Sequence, residues 1–158
     1  MDPTRVISPA GCGSIAFDLP VGAQRARTAG VDVVDVARLG LALRRIGPAL
    51  EHRICTAAEH DILAADPARR LLDLAAMFAV KESVLKAFGG IAHGARFTDI
   101  DTAGLGPVND TAGLGPVRLR GATAAQADRL GVTLLTGTAK PAAGTVLAWA
   151  VAVPVADL

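Results

Sequence analysis

Phe78-Ala-Val-Lys-Glu-Ser-Val-Leu-Lys-Ala-Phe-Gly-Gly90 is the most informative segment of the chain, because it places three charges in an otherwise apolar helical segment. From residue 71 to residue 88 only five side chains are polar: Asp73, Lys81, Glu82, Ser83 and Lys86. At about 100° per residue, Glu82 lies within about 60° of four apolar residues: Ala75, Phe78, Ala79 and Leu85. We therefore expect its carboxylate on a core-like face, where an uncompensated charge is costly.

Two interpretations of this segment are open. Lys86 follows Glu82 by one helical turn, so an i,i+4 ion pair, worth about 0.2–0.5 kcal/mol on an exposed helix, can provide part of the compensation. In that case the charges are a structural pair inside a core helix. In the other case Glu82 belongs to a functional site, since perturbed charges gather at such sites.

A second segment, Gly30-Val-Asp-Val-Val-Asp35, favours the functional interpretation. Its β-branched residues predict a short buried strand with one acid, Asp32, in its middle. Asp35 then caps a helix that Gly47-Pro48 ends. The apolar positions of that helix follow helical spacing: Val36, Leu39, Leu43 and Ile46.

The rest of the chain predicts an α+β fold. Thr56 and Glu59 form a capping box for a short helix, and Asp66 followed by Pro67 begins the long helix that Gly89-Gly90 ends. Beyond the long helix, strand patterns cover residues 97–101, 117–120, 132–138 and 146–153, with one helix near 124–130. Strands segregated from helices in this way are typical of a long helix packed on an antiparallel sheet.

One near-perfect repeat, residues 101–108 and 110–117, interrupts this pattern. Two copies are too few for a solenoid, which needs at least three stacked units. We interpret the repeat as a loop lengthened by duplication, without a chemical role.

Taken together, the two charged segments resemble the holo-acyl-carrier-protein synthase family, the small 4′-phosphopantetheinyl transferases. The shared motifs are G-V-D-V-V-D at residues 30–35 and F-A-V-K-E-S-V-L-K-A-F-G at residues 78–89, in that order. The resemblance continues through residues 53–59, 117–121 and the closing strand, so it covers about residues 30–153. It implies a 4′-phosphopantetheinyl transferase domain over residues 30–158. Residues 1–29 are then an irregular N-terminal extension with one short strand near residues 14–17.

The resemblance implies a definite reaction. A serine of an acyl carrier protein attacks the β-phosphate of coenzyme A, takes the 4′-phosphopantetheine arm and releases 3′,5′-ADP. Such a transfer requires positioning, charge neutralisation and a metal ion on the phosphate oxygens. Mg²⁺ prefers one or two carboxylates with water and phosphate, and Asp32 and Glu82 match the metal ligands of the family. Lys81 and Lys86 match its paired lysines, which implies that they neutralise the pyrophosphate.

The roles of four residues stay open at this point. Lys86 is a candidate proton donor or relay, whereas Glu82, directly or through water, is the alternative acceptor for the serine proton. Arg53 is either a contact for a phosphate of coenzyme A or a solvated surface arginine. Asp35 matches a family acid and is equally explained as a helix N-cap.

Composition limits the other partners. The net charge of +1 gives no reason to expect nucleic acid, and no apolar run reaches the length of about 18 residues that spans a bilayer. We expect a cytoplasmic protein in which Cys12 and Cys55 are reduced thiols rather than a disulfide.

Two protein contacts are expected. Acyl carrier proteins present an acidic helix, and Arg38 and Arg45, about 20° apart on the helical wheel, form its best basic complement or else a merely solvated face. The resemblance also implies a homotrimer with active sites between subunits. The apolar run at residues 146–153 agrees, since it is longer than a half-exposed edge strand should carry.

Two departures from the family pattern concern activity. Met77 stands where the family commonly has arginine, and Gly137 follows Thr136 where the family commonly has histidine. We expect weaker coenzyme A binding from the first change, and slower turnover or a wider pocket from the second. The main interpretation is an active transferase, serving a specialised polyketide or fatty-acid pathway. The alternative is a catalytically weak homologue that binds coenzyme A or carrier protein without transfer.

Overall fold

One strand, four consecutive helices and then mainly strands follow one another along the chain, whose computed structural model describes residues 25–105, 113–115, 117–138 and 144–155. The helices in these ranges are α1 (Val36–Ile46), α2 (Pro48–Ile54), α3 (Ala57–Ile62), α4 (Pro67–Ala87) and α5 (Gly121–Leu130). The strands are β1 (Thr28–Asp35), β2 (Ile100–Asp101), β3 (Gly113–Gly115), β4 (Arg118–Leu119), β5 (Val132–Thr138) and β6 (Thr145–Pro154). No helix in the described ranges is both long and apolar enough to cross a membrane.

The main sheet is antiparallel, with the strand order β1-β6-β5-β3. Strand β6 pairs with β1, where Asp32 lies opposite Ala148, and with β5, where Leu134 lies opposite Ala152. Strands β2 and β4 form a separate two-stranded sheet. The strands predicted at residues 132–138 and 146–153 are confirmed, as is the helix near 124–130, which Gly131 ends in a left-handed conformation.

The strand predicted over residues 97–101 is wrong for its first three residues. Phe97–Asp99 form a 3₁₀ turn, and only Ile100–Asp101 pair, as β2. A local cap explains the turn, because the Asp99 carboxylate accepts a hydrogen bond from the backbone N–H of Arg96 at 3.2 Å. The backbone N–H of Arg120 then donates to the Asp99 carbonyl at 2.8 Å, and the strand predicted over 117–120 shortens to Arg118–Leu119.

Helix α4 is buried along most of its length and packs across β1 and β6. Asp66 caps it by accepting a hydrogen bond from the backbone N–H of Arg69 at 2.8 Å, and Pro67 lies in the first turn, as predicted. Small buried residues recur along the helix and let it approach the sheet closely: Ala75, Ala79, Ser83 and Ala87. The predicted α+β class, with a long helix on an antiparallel sheet, is confirmed.

The duplicated segment contributes to the sheets. Its first copy begins at Asp101 in β2, and Gly113–Gly115 of the second copy form β3 and pair with β5. The interpretation of the whole repeat as a loop is therefore wrong for these residues. The described chain begins at residue 25, and its first strand, β1, begins at Thr28. The strand predicted at residues 14–17 and the predicted reduced thiol of Cys12 lie outside the described residues.

A buried ion pair joins α4 to the junction between α2 and α3. The Lys81 side chain is 0% exposed, and its Nζ donates hydrogen bonds to Glu59 Oε2 and to the Ile54 carbonyl, both at 2.6 Å. Glu59 Oε2 also accepts from the backbone N–H of Thr56 at 2.7 Å, within the predicted capping box. Glu59 Oε1 accepts from the backbone N–H and the hydroxyl of Thr102, at 2.7 and 2.6 Å. Both carboxylate oxygens are thus satisfied away from water.

This arrangement predicts that Lys81→Met destabilises the protein by about 3–5 kcal/mol, because it leaves the Glu59 carboxylate buried without a counter-charge. Urea unfolding measures the loss. The matched control is Lys86→Met, further along α4, where the lysine and its partner Asp32 are 50% and 15% exposed, so water partly screens the acid left behind and a smaller loss is expected. Equal losses for the two variants would contradict the structural role of Lys81.

Candidate active site

Strand β1 presents Asp32 to α4. Side chains alternate along a strand, so Gly30, Asp32 and Val34 share one face, and Gly30 and Val34 are buried there. Val31 and Val33 lie on the other face and are 45% and 55% exposed. The prediction of a buried strand is therefore correct for one face only, and the inward face carries the acid.

Lys86 links β1 to α4. Its Nζ donates hydrogen bonds to Asp32 Oδ1 at 2.6 Å and to the Val31 carbonyl at 3.1 Å. Of the two interpretations left open by the sequence, a structural pair between Lys86 and Glu82 is not supported, because β1 brings Asp32 within hydrogen-bond distance of the ammonium. The side chain of Lys86 is 50% exposed, so the ammonium stays accessible to a ligand.

Glu82 lies one turn before Lys86 and lines the same cavity as Asp32. Burial raises the pKa of Glu82 above its ordinary value, the charge of Asp32 raises it further, and Lys86 lowers it. The Asp32 charge thus acts at Glu82, and a cation between them would relieve the repulsion.

Two neighbouring carboxylates suit a magnesium ion, which takes one or two carboxylates together with water and phosphate. Asp32 and Glu82 therefore fit this metal. A site built from protein ligands alone is not present, since the described ranges contain no group of three or more histidine, cysteine, aspartate or glutamate residues placed to hold a metal ion.

A cavity of about 580 Å³ opens beside the two acids. Four charged residues line it: Asp32, Asp35, Arg38 and Glu82. The other walls are apolar and come from β1, α1, α2 and α4: Val33, Val34, Leu39, Ala42, Ile46, Leu50, Ile54 and Phe78. An apolar space with a few polar groups is typical of a ligand site. We call it the α1–α4 cavity.

A second cavity, of about 490 Å³, lies beside the C-terminal turn of α2. Arg53, Arg96 and His52 line it, together with Leu85 of α4. Its remaining lining is mainly apolar: Ile91, Ala95, Phe97 and Thr98. We call it the basic cavity. Arg53 and Ile54 are consecutive and line different cavities, so the end of α2 lies between the two.

Lys81 is a predicted site residue that the structure does not bring to the acidic pair. Consecutive residues of a helix point about 100° apart, so Lys81 and Glu82 face different surroundings. Lys81 is fully buried against Glu59, where a substrate phosphate cannot reach its ammonium. The prediction that Lys81 neutralises a pyrophosphate is therefore wrong for this structure.

Local contacts explain the state of two further residues, the acid Asp35 and the thiol Cys55. Asp35 caps α1, because its Oδ1 accepts a hydrogen bond from the backbone N–H of Arg38 at 2.9 Å, and it also lines the α1–α4 cavity. Cys55 is a free buried thiol whose pKa burial raises to about 12, with the charge of Glu59 adding to the effect. A thiol that stays protonated is a poor nucleophile.

The two departures from the family pattern have different surroundings. Met77 is buried in the hydrophobic core and lines neither cavity, so an arginine at this position would lie in the core of this chain. The expected loss of a coenzyme A contact at Met77 is therefore not supported. Gly137 lies in β5, opposite Trp149 of β6 and Leu114 of β3.

Sequence reasoning missed Glu59 as the partner of Lys81, and it missed Arg96 and Phe97 as lining of the basic cavity. The capping box already accounts for Glu59 within its own helix, so nothing local indicates a second role. The one available signal was a lysine inside an apolar helix, which demands a buried partner somewhere in the fold.

Comparison with known proteins identifies the family. The family model described as the 4′-phosphopantetheinyl transferase superfamily matches residues 28–133. The chain belongs to this superfamily, within the holo-acyl-carrier-protein synthase family. The match begins at the first residue of β1 and includes both Asp32 and Glu82.

Relatives of the holo-acyl-carrier-protein synthase family agree with this assignment. The holo-[acyl-carrier-protein] synthase of Photorhabdus laumondii subsp. laumondii is 37% identical over 107 residues, 67% of this chain and 80% of that protein. That of Leifsonia xyli subsp. xyli is 44% identical over 72 residues, so the alignment spans 46% of this chain and 53% of that protein. The Helicobacter pylori synthase in complex with coenzyme A shares the fold, with a TM-score of 0.58 and 23% identity, over 78% of this chain and 98% of that one.

The raised pKa of Glu82 predicts that Glu82→Gln increases the melting temperature of the metal-free protein at neutral pH. The ionised carboxylate is less favourable in the folded chain than in the unfolded chain, so it opposes folding above the folded-state pKa. Below the ordinary pKa of glutamate both states are protonated and the gain disappears. The gain is small, because water screens a half-buried carboxylate.

Thermal unfolding of wild type and variant in EDTA, as a function of pH, measures this gain. The control is Asp61→Asn, which changes an exposed acid on α3 and should leave the melting temperature unchanged. A lower melting temperature for Glu82→Gln at neutral pH would show that the ionised carboxylate stabilises the fold.

Proposed function

We propose that the chain transfers the 4′-phosphopantetheine arm of coenzyme A to a serine of an acyl carrier protein, with Mg²⁺ as cofactor and 3′,5′-ADP as the second product. The observation that carries the proposal is the convergence of Asp32, Glu82 and Lys86 between β1 and α4, in a member of the holo-acyl-carrier-protein synthase family. Two acids and an accessible ammonium are the groups that phosphoryl transfer needs.

Each of the three residues has a proposed role. Asp32 and Glu82 would hold the Mg²⁺, which supplies charge neutralisation on the phosphate oxygens. Lys86 binds a non-bridging oxygen of the pyrophosphate as a point charge, since its ammonium is half exposed beside Asp32. Lys86 thereby orients the β-phosphorus toward the incoming serine.

The transfer is a single exchange of bonds at phosphorus. The serine Oγ forms a bond to the β-phosphorus, and the bond from that phosphorus to the bridging oxygen of the 3′,5′-ADP leaving group breaks. The serine proton passes to the Glu82 carboxylate, directly or through water, or is relayed by Lys86 to the leaving phosphate.

The basic cavity is the proposed site for the nucleotide part of coenzyme A. Arg53 and Arg96 offer guanidinium groups that match phosphate oxygens in pairs, and Phe97 offers an aromatic surface for a base. Leu85, which also lines this cavity, precedes Lys86 on α4, so a pyrophosphate that leaves the cavity along the helix meets the Lys86 ammonium.

The exposed face of α1 is the proposed docking surface for the carrier protein. Arg38 and Arg45 are both exposed, and they lie seven residues apart, which places them on one face of the helix. Arg38 also lines the α1–α4 cavity beside Asp32 and Glu82. An acidic helix bound along this face would bring its neighbouring serine to the two acids.

A homotrimer completes the proposal. Val31 and Val33 are exposed on the outer face of β1, opposite Trp149 and Leu147 of β6, and burial of such branched side chains between subunits is favourable. Multi-angle light scattering of the purified protein tests the assembly. A mass of three chains is expected, and a stable monomer would contradict it.

The decisive activity test is incubation with coenzyme A, Mg²⁺ and a panel of apo carrier proteins from fatty-acid and polyketide pathways. Mass spectrometry should show one carrier gaining the phosphopantetheine arm while 3′,5′-ADP accumulates. Asp32→Asn, Glu82→Gln and Lys86→Met should each lower the rate by about 10²–10³-fold, the typical loss for one group that stabilises transition-state charge.

Asp61→Asn serves as the control variant and should keep the wild-type rate, since Asp61 lies on α3 and lines neither cavity. Full activity in Glu82→Gln would overturn the assignment of that residue. A wild-type chain that is inert toward every carrier, yet binds coenzyme A in calorimetry, would favour the catalytically weak homologue instead.

If the carrier protein binds the exposed face of α1, changes on that face should affect the KM for carrier protein and not the KM for coenzyme A. Reversing the charge with Arg38→Glu and Arg45→Glu together should raise the KM for carrier protein about tenfold or more, with little change in the KM for coenzyme A. The matched control reverses two other exposed arginines, Arg118→Glu and Arg129→Glu, and so changes the net charge equally. Equal effects of the two double variants would mean that the α1 face has no special role.

A further inference from the structure

Gly30 allows the backbone of β1 to lie directly against the backbone of α4. A Cβ atom at this position would lie 2.0 Å from the carbonyl oxygen of Ser83, 2.6 Å from the backbone nitrogen of Ala87 and 2.9 Å from Cβ of Lys86. Two of these three atoms belong to the backbone of a core helix, so no side-chain rotation can relieve the clash. Any other residue must push the strand and the helix apart.

Hydrogen bonds on both sides hold this crossing in register. Thr28 Oγ1 donates to the Ala87 carbonyl at 2.5 Å, two residues before Gly30. Lys86 Nζ donates to the Val31 carbonyl and to Asp32 Oδ1, one and two residues after it. The strand is therefore fixed to the helix along the segment that ends in Asp32.

The crossing lies next to the two acids. Gly30 and Asp32 point to the same face of β1, because side chains repeat every second residue along a strand. Ser83, whose carbonyl is the nearest atom to the virtual Cβ, directly follows Glu82 on α4. If β1 and α4 move apart at Gly30, the distance between the Asp32 and Glu82 carboxylates changes too, because each acid lies within two residues of the contact on its own element.

We propose that Gly30 is a positioning residue that sets the distance between Asp32 and Glu82 and thereby fits the pair to a small divalent cation. The proposal rests on the proposed function only in taking these two carboxylates as the magnesium ligands. The absence of a Cβ atom at Gly30 then contributes to metal selection as well as to packing.

The distance by which β1 and α4 would have to separate makes metal-ion affinity the sensitive measurement. To move a Cβ from 2.0 Å to an acceptable contact, β1 and α4 must separate by about 1 Å or more. Mg²⁺ demands ligands at about 2.0–2.1 Å in near-ideal octahedral geometry, whereas Ca²⁺ accepts about 2.3–2.6 Å in flexible geometry. A wider site therefore penalises Mg²⁺ more than Ca²⁺, which a general loss of stability would not do.

The test compares direct binding of Mg²⁺ and Ca²⁺ to wild type and to Gly30→Ala, by competition with Mn²⁺ followed by electron paramagnetic resonance. We expect Mg²⁺ affinity to fall about tenfold or more and Ca²⁺ affinity to fall clearly less, since only the smaller ion requires short bonds. The matched control is Gly40→Ala, another buried glycine facing α4, whose Cβ would meet only the ends of two flexible side chains, Leu71 at 3.1 Å and Arg44 at 3.5 Å. Gly40→Ala should bind both ions like wild type.

Equal losses for both ions, or unchanged binding in Gly30→Ala, would overturn the proposal. Should Gly30→Ala fail to fold, Thr28→Val decides the matter, because it loosens the same crossing without adding volume. It should weaken Mg²⁺ binding about two- to fivefold, the equivalent of one hydrogen bond, and unchanged Mg²⁺ affinity would overturn the proposal. Absence of Mg²⁺ binding in wild type is a separate outcome, which would refute the metal role of Asp32 and Glu82 and with it the premise for Gly30.

Discussion

The backbone of strand β1 rests on the backbone of helix α4, and the candidate active site depends on that contact. Asp32 comes from the strand, while Glu82 and Lys86 come from the helix, so the three groups meet only because the two elements cross at close range. The small buried residues of α4 and the glycine in β1 make the approach possible. Main-chain packing of this kind is stiff, which suits the proposed action of the three groups on one phosphate.

Helix α4 keeps two sets of charges apart although they are adjacent in sequence. Lys81 points into the core, where the Glu59 carboxylate neutralises it. Glu82 points to the α1–α4 cavity, where the charge of Asp32 raises its pKa and Lys86 lowers it. The Lys81–Glu59 pair stabilises the junction of α2 and α3, whereas Glu82 and Asp32 line the cavity of the candidate active site. The end of α2, which the Lys81 ammonium holds through the Ile54 carbonyl, lies between the two cavities. The buried pair thus also supports the walls of the site.

Much of the fold and the centre of the site could be predicted from the sequence. The alternation and apolar runs that predict β5 and β6 are local, and so are the capping signals at Asp35, Thr56 and Asp66. Asp32 and Glu82 can be identified because each is an acid among apolar residues, where an ionised carboxylate is costly unless a counter-charge or a metal ion compensates it.

The remaining features depend on contacts between distant residues. The resemblance to the family assigns Lys81 to the phosphates, whereas its buried partner Glu59 lies 22 residues away in the sequence, inside a capping box that is complete without it. Helical spacing offers Glu82 as a partner for Lys86, whereas the structure pairs Lys86 with Asp32 of a strand 54 residues earlier. The 3₁₀ turn at Phe97–Asp99 follows from an aspartate cap that strand propensity does not reveal. The close crossing at Gly30 is visible only when both backbones are in place.

The central claim is that Asp32 and Glu82 form one cation site at the crossing of β1 and α4. A crystal soaked in Mn²⁺, with anomalous diffraction measured at the manganese absorption edge, tests it most directly. We expect one strong anomalous peak between the carboxylates of Asp32 and Glu82, and loss of that peak in Asp32→Asn. A peak elsewhere with none between these two acids would contradict it.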